Sequence, residues 1–184
     1  MPHYQSFDPA TEITGLSALS LLKNIMHKDI ADIIHRHGLD QIDPNAWYPL
    51  QSLLDVLSDI SEGENVTSTF VSIGMAAAQP GYDAMSEQMK AMSLGEFLKL
   101  YADVYKSRMR HGETGWIKVE QQAKNHYVLT LYIPYPDDVF YGVFYAYTRL
   151  FRPAGQGFTV KYDDKTVSRE KGGEVTVLHV VVDD

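Results

Sequence analysis

The sequence predicts an α+β fold: a helical N-terminal half packed on a four-stranded antiparallel sheet, with a helix between the second and third strands. Three observations carry this. Up to Gly112 the apolar residues recur at three- and four-residue spacing, the mark of amphipathic helices. From Trp116 onward four segments, 116–122, 127–133, 158–162 and 175–182, read as strands. Between the second and third of these, roughly 138–152, lies a helical segment that carries Phe140, Tyr141, Phe144, Tyr145, Tyr147 and Phe151 around Gly142. A helix aromatic on nearly every side must be covered on nearly every side, so it lies between the sheet and something else.

The elements follow in order. Residues 1–14 read as a loose arm, 15–112 as helical, and 113–184 as sheet plus crossover helix, all in a single domain. Leu16, Leu19 and Leu22 begin a helical pattern that Met26, Ile30, Ile33, Ile34 and His37 continue, with Gly38 as its stop. Asp43-Pro44 reads as a helix start, the aspartate capping and the proline in the first turn, with Trp47, Leu50, Leu53, Leu54 and Leu57 on one face. Val66, Phe70, Ile73 and Ala77 repeat the pattern until Pro80-Gly81, where a break is expected, and a short helix covers 83–92. The cleanest amphipathic helix carries Leu94, Phe97, Leu98, Tyr101, Val104, Tyr105 and Met109. In the second half Ile117 and Val119 alternate with charge, as in a half-buried strand. Tyr127 to Ile133 has both faces apolar, and Lys124-Asn125 joins the two as a hairpin.

Composition narrows the function classes. At 184 residues with 45% apolar and 22% charged residues, the chain can bury a full core. The net charge of −8 argues against nucleic acid as a partner. No run of about eighteen apolar residues exists to span a membrane, and no signal-like start is present, so a cytoplasmic protein is expected. Without cysteine there are no disulfides, thiolate metal sites or thiol nucleophiles. The seven histidines, His3, His27, His35, His37, His111, His126 and His179, have no metal-ligand spacing, and His179 reads as a satisfied core histidine. Phe70-Val71-Ser72-Ile73-Gly74 lacks the first glycine of a nucleophile elbow, and Gly155-Gln156-Gly157 precedes a strand and is no phosphate loop. The aspartate pairs at 137–138, 163–164 and 183–184 stand at element ends, where aspartates cap and solvate. No catalytic or metal-ligating residue is therefore assigned.

Two features leave alternatives open. The basic cluster Lys106, Arg108, Arg110 and His111 either complements a helix C-terminus or docks an anionic group. The twelve tyrosines either build an aromatic core or line a pocket with rings and hydroxyls. In the second case the cluster is Tyr101 and Tyr105, one turn apart on the long helix, with Trp116, Tyr132 and Tyr135 flanking the sheet and Phe140, Phe144 and Tyr147 from the crossover helix, and the ligand-binding residues would be Tyr101, Tyr105, Trp116, Tyr132, Phe140 and Phe144.

The order from Leu94 onward is long helix, hairpin, helix with a central glycine, then two strands. It resembles the superfamily that joins the heme nitric-oxide/oxygen-binding (H-NOX) domains, the 4-vinyl-reductase-type ligand domains and the small subunits of the TRAPP vesicle-transport complex. The run Asn45-Ala46-Trp47-Tyr48-Pro49-Leu50 resembles bacterial relatives of that group. The resemblance implies an iron-binding histidine on the long helix. Here Phe97 to Tyr105 holds none, and Tyr105, or Tyr101 one turn earlier, takes its place. It also implies a Tyr-x-Ser-x-Arg propionate clamp. Here Tyr132-Ile133-Pro134-Tyr135-Pro136 keeps the tyrosine and puts prolines at the other two positions. The expectation is a non-enzymatic small-molecule-binding or sensory domain without heme, taking an apolar or aromatic ligand between the helical half and the sheet. The alternatives are a dimeric protein-interaction scaffold like the transport-complex subunits, and a heme sensor with a tyrosine ligand.

Overall fold

The computed structural model describes residues 4–22 and 28–184, with the side chains of 28–30 left out. His3, Met26 and His27 lie outside the described residues, as does the side chain of Ile30. The elements run β1 (Glu12–Thr14), α1 (Gly15–Leu22), α2 (Lys28–Arg36), β2 (Trp47–Pro49), α3 (Leu50–Ser61), α4 (Val66–Asp83), α5 (Glu87–Lys90) and α6 (Leu94–Ser107). They continue with β3 (Met109–Arg110), β4 (Trp116–Ala123), β5 (His126–Tyr132), α7 (Asp137–Phe151), β6 (Phe158–Tyr162), a 3₁₀ turn (Arg169–Lys171) and β7 (Thr176–Val182). The expected α+β fold is present: β4-β5-β7-β6 form one sheet, antiparallel throughout, with α7 between its second and third strands in sequence.

Local chemistry explains the elements that position the interior. Helix α6 opens on a capping box: the Ser93 hydroxyl accepts from the Glu96 amide, and the Glu96 carboxylate accepts from the Ser93 amide at 2.9 Å. The Ser93 hydroxyl, which also donates to that carboxylate at 2.6 Å, and then the Ser93 amide hold the Glu96 carboxyl below its ordinary range. Strand β5 buries Tyr127, Leu129 and Leu131 on one face and covers Val128 on the other. His179 is satisfied as expected, its ring bonded to Asp163 at 2.9 Å and to His126 at 2.8 Å, on a half-buried site.

Helix α7 shows why it can be aromatic all round. Tyr141 and Tyr145 meet β6: the Tyr141 hydroxyl donates to the Val160 carbonyl at 2.9 Å, and Tyr145 packs on Phe158 with ring centres 4.9 Å apart. Val139, Gly142 and Ala146 face α4. A Cβ on Gly142 would stand 2.2 Å from the Val71 carbonyl oxygen, and one on Gly74 would stand 1.9 Å from the Val139 carbonyl oxygen. The two glycines let these helices cross backbone to backbone. The remaining face, with Phe140, Val143 and Tyr147, turns to the interior.

Four expectations need correction. The arm is not loose from Tyr4 on: Tyr4 and Ile13 are buried, and β1 lies between β2 and β3 in a second, three-stranded antiparallel sheet. Strands this short carry no readable periodicity. Asp43-Pro44 starts no helix. The Asp43 carboxylate accepts from the Asn45 amide in a tight turn, Trp47 enters β2, and α3 begins at Leu50. Pro80-Gly81 does not end α4, which runs to Asp83. Pro80 stands inside the last turns, where it gives up one i→i−4 donor, yet the helix continues past it and its carbonyl accepts from the Ala84 amide at 3.2 Å. The helix expected over 83–92 is the four-residue α5, capped by Ser86.

Candidate functional site

A partly enclosed cavity of about 350 Å3 lies among α1, α4, α6 and α7. The β1 and β3 residues Ile13 and Met109 close one end, and Tyr135, in the loop before α7, enters from another side. None of its described lining residues belongs to the four-stranded sheet, so the void is not between helices and sheet as expected. The reason is α7: its sheet-facing side is filled by Tyr141 and Tyr145, and only its opposite side meets open volume.

Tyr101 and Tyr105 of α6 and Phe140 of α7, all singled out from the sequence, line this cavity. Their rings interlock with those around them. Tyr105 stands edge-on to Phe140, centres 5.9 Å apart, and Tyr101 lies 5.3 Å from Tyr147. Phe144 sits behind the wall, fully buried and edge-on to Tyr101 at 5.4 Å. Trp116 and Tyr132 are elsewhere. They are paired across β4 and β5, Tyr132 stacks on Phe7 at 4.4 Å, and Arg169 lies over both the Phe7 and Tyr132 rings. Tyr135 and Tyr147, also part of the aromatic cluster read from the sequence, line it too, Tyr147 on one helical stripe with Phe140 and Val143. Sequence reasoning did not place Arg108 in the lining.

The hydroxyls divide sharply. Tyr105 donates to the Thr114 carbonyl at 2.6 Å and is a core tyrosine in its hydrogen bonding. Tyr101, Tyr135 and Tyr147 make no hydrogen bond to any described residue, yet none of their hydroxyls is sealed away from open space. A hydroxyl buried without a partner would cost roughly 1–3 kcal/mol. Here all three residues line a common void. Burial pushes the ionisation of all four phenols up, Tyr147 to about 12 and Tyr101 and Tyr105 well above the ordinary value. They are neutral donors at physiological pH. Since the unfolded phenols ionise near 10, these four stabilise the fold fully below that pH and stop doing so as pH rises through their higher folded values. Absorbance titration at 295 nm is expected to show their phenolate signal arriving only with loss of the near-ultraviolet circular dichroism. Tyr101→Phe should remove amplitude from that late step. Amplitude lost instead from a reversible step near pH 10 would contradict the burial.

Arg108, the residue that caps α6, is the single charged group among the described lining residues. A larger, open and polar depression lies against α3, lined by Tyr4, His37, Asp55, Asp59, Asp138 and Glu170 among others. Four of its carboxylates are engaged, Asp59 by Arg36 and His37, Asp55 by Gln51, Asp138 by Tyr162 and Glu170 by Tyr4, and the fifth, Glu62, is exposed. That depression is a solvated polar surface. The cavity behind Tyr101 is the candidate site.

No family model and no curated protein sequence matches the chain. Solved structures do match in three dimensions. A point mutant of the Fe(II) unliganded H-NOX protein from K. algicida superposes with TM-score 0.68 at 12% identity, over 94% of this chain and 97% of that one. A mutant of the T. tengcongensis H-NOX gives 0.66 at 14%, over 92% and 95%. An oxygen-binding H-NOX domain related to soluble guanylate cyclases gives 0.65 at 15%, over 92% and 93%.

That fold implies heme, and the lining can be tested for it. Among the described lining residues there is no histidine or cysteine. Tyr105, one of the two tyrosines at the expected ligand position, spends its hydroxyl on Thr114. Tyr101 lines the cavity and has no hydrogen-bond partner among the described residues. One arginine answers two propionates. The described lining thus lacks the histidine that the resemblance implies, while the chain, along nearly its whole length, has the H-NOX fold.

Proposed function

We propose that this chain is a non-enzymatic small-molecule-binding domain, with the sensory role its fold suggests, that works without heme. The observation that carries this is that Tyr101, Tyr135 and Tyr147, whose hydroxyls have no hydrogen-bond partner among the described residues, line one cavity of about 350 Å3. A packed core leaves neither the volume nor the free donors. The size lies at the small end of ligand pockets, and the walls are aromatic and aliphatic with few polar groups, the usual make-up of such sites. The ligand is an apolar or aromatic small molecule. Among the described lining residues no nucleophile–base pair stands at the cavity, which supports binding over catalysis. Large apolar side chains exposed among the described residues are Leu16, Trp116 and Val167, on three separate segments, which supports the interaction-scaffold reading less.

Native mass spectrometry and the visible spectrum of freshly purified protein, expressed with iron and heme precursor, test this. The expected result is no Soret band, with the folded chain carrying a small organic adduct that denaturation releases. A stoichiometric heme adduct with a Soret band would overturn it.

A further inference from the structure

Arg108 gives the ligand a charge. Of the basic cluster at the end of α6, Arg110 pairs with Glu12 and lies 4.5 Å over the Trp47 ring, and His111 stands 3.8 Å from the same Glu12 carboxylate. Lys106 is exposed on α6. Arg108 is different. It is half-buried, its guanidinium makes no ion pair or hydrogen bond with a described residue, and it lines the cavity. Its main chain is fixed independently, the carbonyl accepting from the Thr14 amide at 3.0 Å. No aspartate or glutamate is among the described lining residues, so nothing in the wall answers this cation.

Resting on the reading of the cavity above, we propose that its ligand is a small aromatic monocarboxylate, held by Arg108 through the carboxylate and by the ring-lined wall through its body. The planar guanidinium fork matches a carboxylate in two parallel hydrogen bonds. One cation answers one negative charge, and a second charge on the ligand would be left without a partner in an apolar wall. The Tyr101 and Tyr147 phenols feel the Arg108 charge and are themselves free donors, placed to share the same oxyanion. Phe97, Phe140 and Val143 supply the apolar contact for a ring.

The test is calorimetric titration with benzoate, indole-3-acetate and 2-naphthoate, each against its primary amide, which keeps the shape and removes the charge. The wild-type chain is expected to bind at least one carboxylate about tenfold or more tighter than its amide, the margin a charge-assisted pair gives. Arg108→Gln should remove that preference by weakening the carboxylate alone, and Arg108→Lys should keep part of it. Amides that bind the wild-type chain as well as the acids do, or an Arg108→Gln chain that keeps full carboxylate affinity, would overturn the assignment while the cavity reading stands. If neither acids nor amides bind, both fall.

Discussion

Gly142→Ala is expected to destabilise the chain by about 3 kcal/mol, the upper range for forcing a methyl into a filled contact. The gain in helix propensity, about 1 kcal/mol for an alanine over glycine, is already outweighed in that figure. The added Cβ has no free space, since the Val71 carbonyl oxygen is 2.2 Å from it and the neighbour is backbone of another helix. Gly74→Ala meets the Val139 carbonyl oxygen at 1.9 Å and should cost as much. For a chain of this size each should lower the melting temperature by about 6–12 °C. Gly63→Ala, whose Cβ meets only the Ile60 carbonyl oxygen at 3.3 Å, should change it little. The crossing also holds the site, because Ala77, Ala78 and Gly81 on α4 face Phe140, Val143 and Tyr147 on α7 across the cavity. Ligand affinity is therefore expected to fall with stability in the Gly74 and Gly142 variants. A melting temperature equal to wild type in either would show that the helices are not in backbone contact.

Asp137→Ala is the second large effect. Asp137 is 3% exposed in the first turn of α7, where a carboxylate suits the helix N-terminus. It accepts from the fully buried Thr176 hydroxyl of β7 and from the Glu170 amide, while its own amide donates to the Glu170 carboxylate. It thus ties the helix start, the last strand and the 3₁₀ turn together. Removing it leaves the Thr176 hydroxyl without its acceptor in a buried place, with an expected cost of about 3 kcal/mol, in the range for a charged hydrogen-bond partner. Asp137→Asn should lose about half of that, since one carbonyl oxygen still accepts from Thr176. Thermal or urea unfolding of the two variants measures both numbers. Equal stability of Asp137→Ala and wild type would contradict the role.

The fold was legible where periodicity is long. Strands β4, β5, β6 and β7 and the aromatic helix lie within a residue or two of their expected bounds, because each repeats its burial pattern several times; α6 starts where expected but ends at Ser107, and Met109, read as part of that helix, enters β3. The small sheet was not, since strands of two or three residues have no pattern to read and depend on partners far away, as Ile13 depends on Tyr48 and Met109. Asp43-Pro44 and Pro80 misled because capping and breaking signals are local, and the same residues serve in a tight turn and near a helix end. The site was legible in part. The ring content and the Tyr101/Tyr105 face pointed to the long helix, and Phe140 to its partner. Which side of α7 would be left open depended on the Gly74–Gly142 crossing, a tertiary fact that one glycine alone does not specify. Arg108 was hidden among three basic neighbours, and only the pairing of Arg110 and His111 with Glu12 separates it from them.

The most direct measurement is a crystal structure of the chain soaked with phenol, the smallest molecule that offers both a ring and a hydroxyl to this wall. The account predicts ring-shaped density inside a void bounded by α1, α4, α6 and α7, with its oxygen within hydrogen-bond distance of the Tyr101, Tyr135 or Tyr147 hydroxyl. Those three hydroxyls bonded to protein acceptors, with their rings closed together and no void between them, would contradict it.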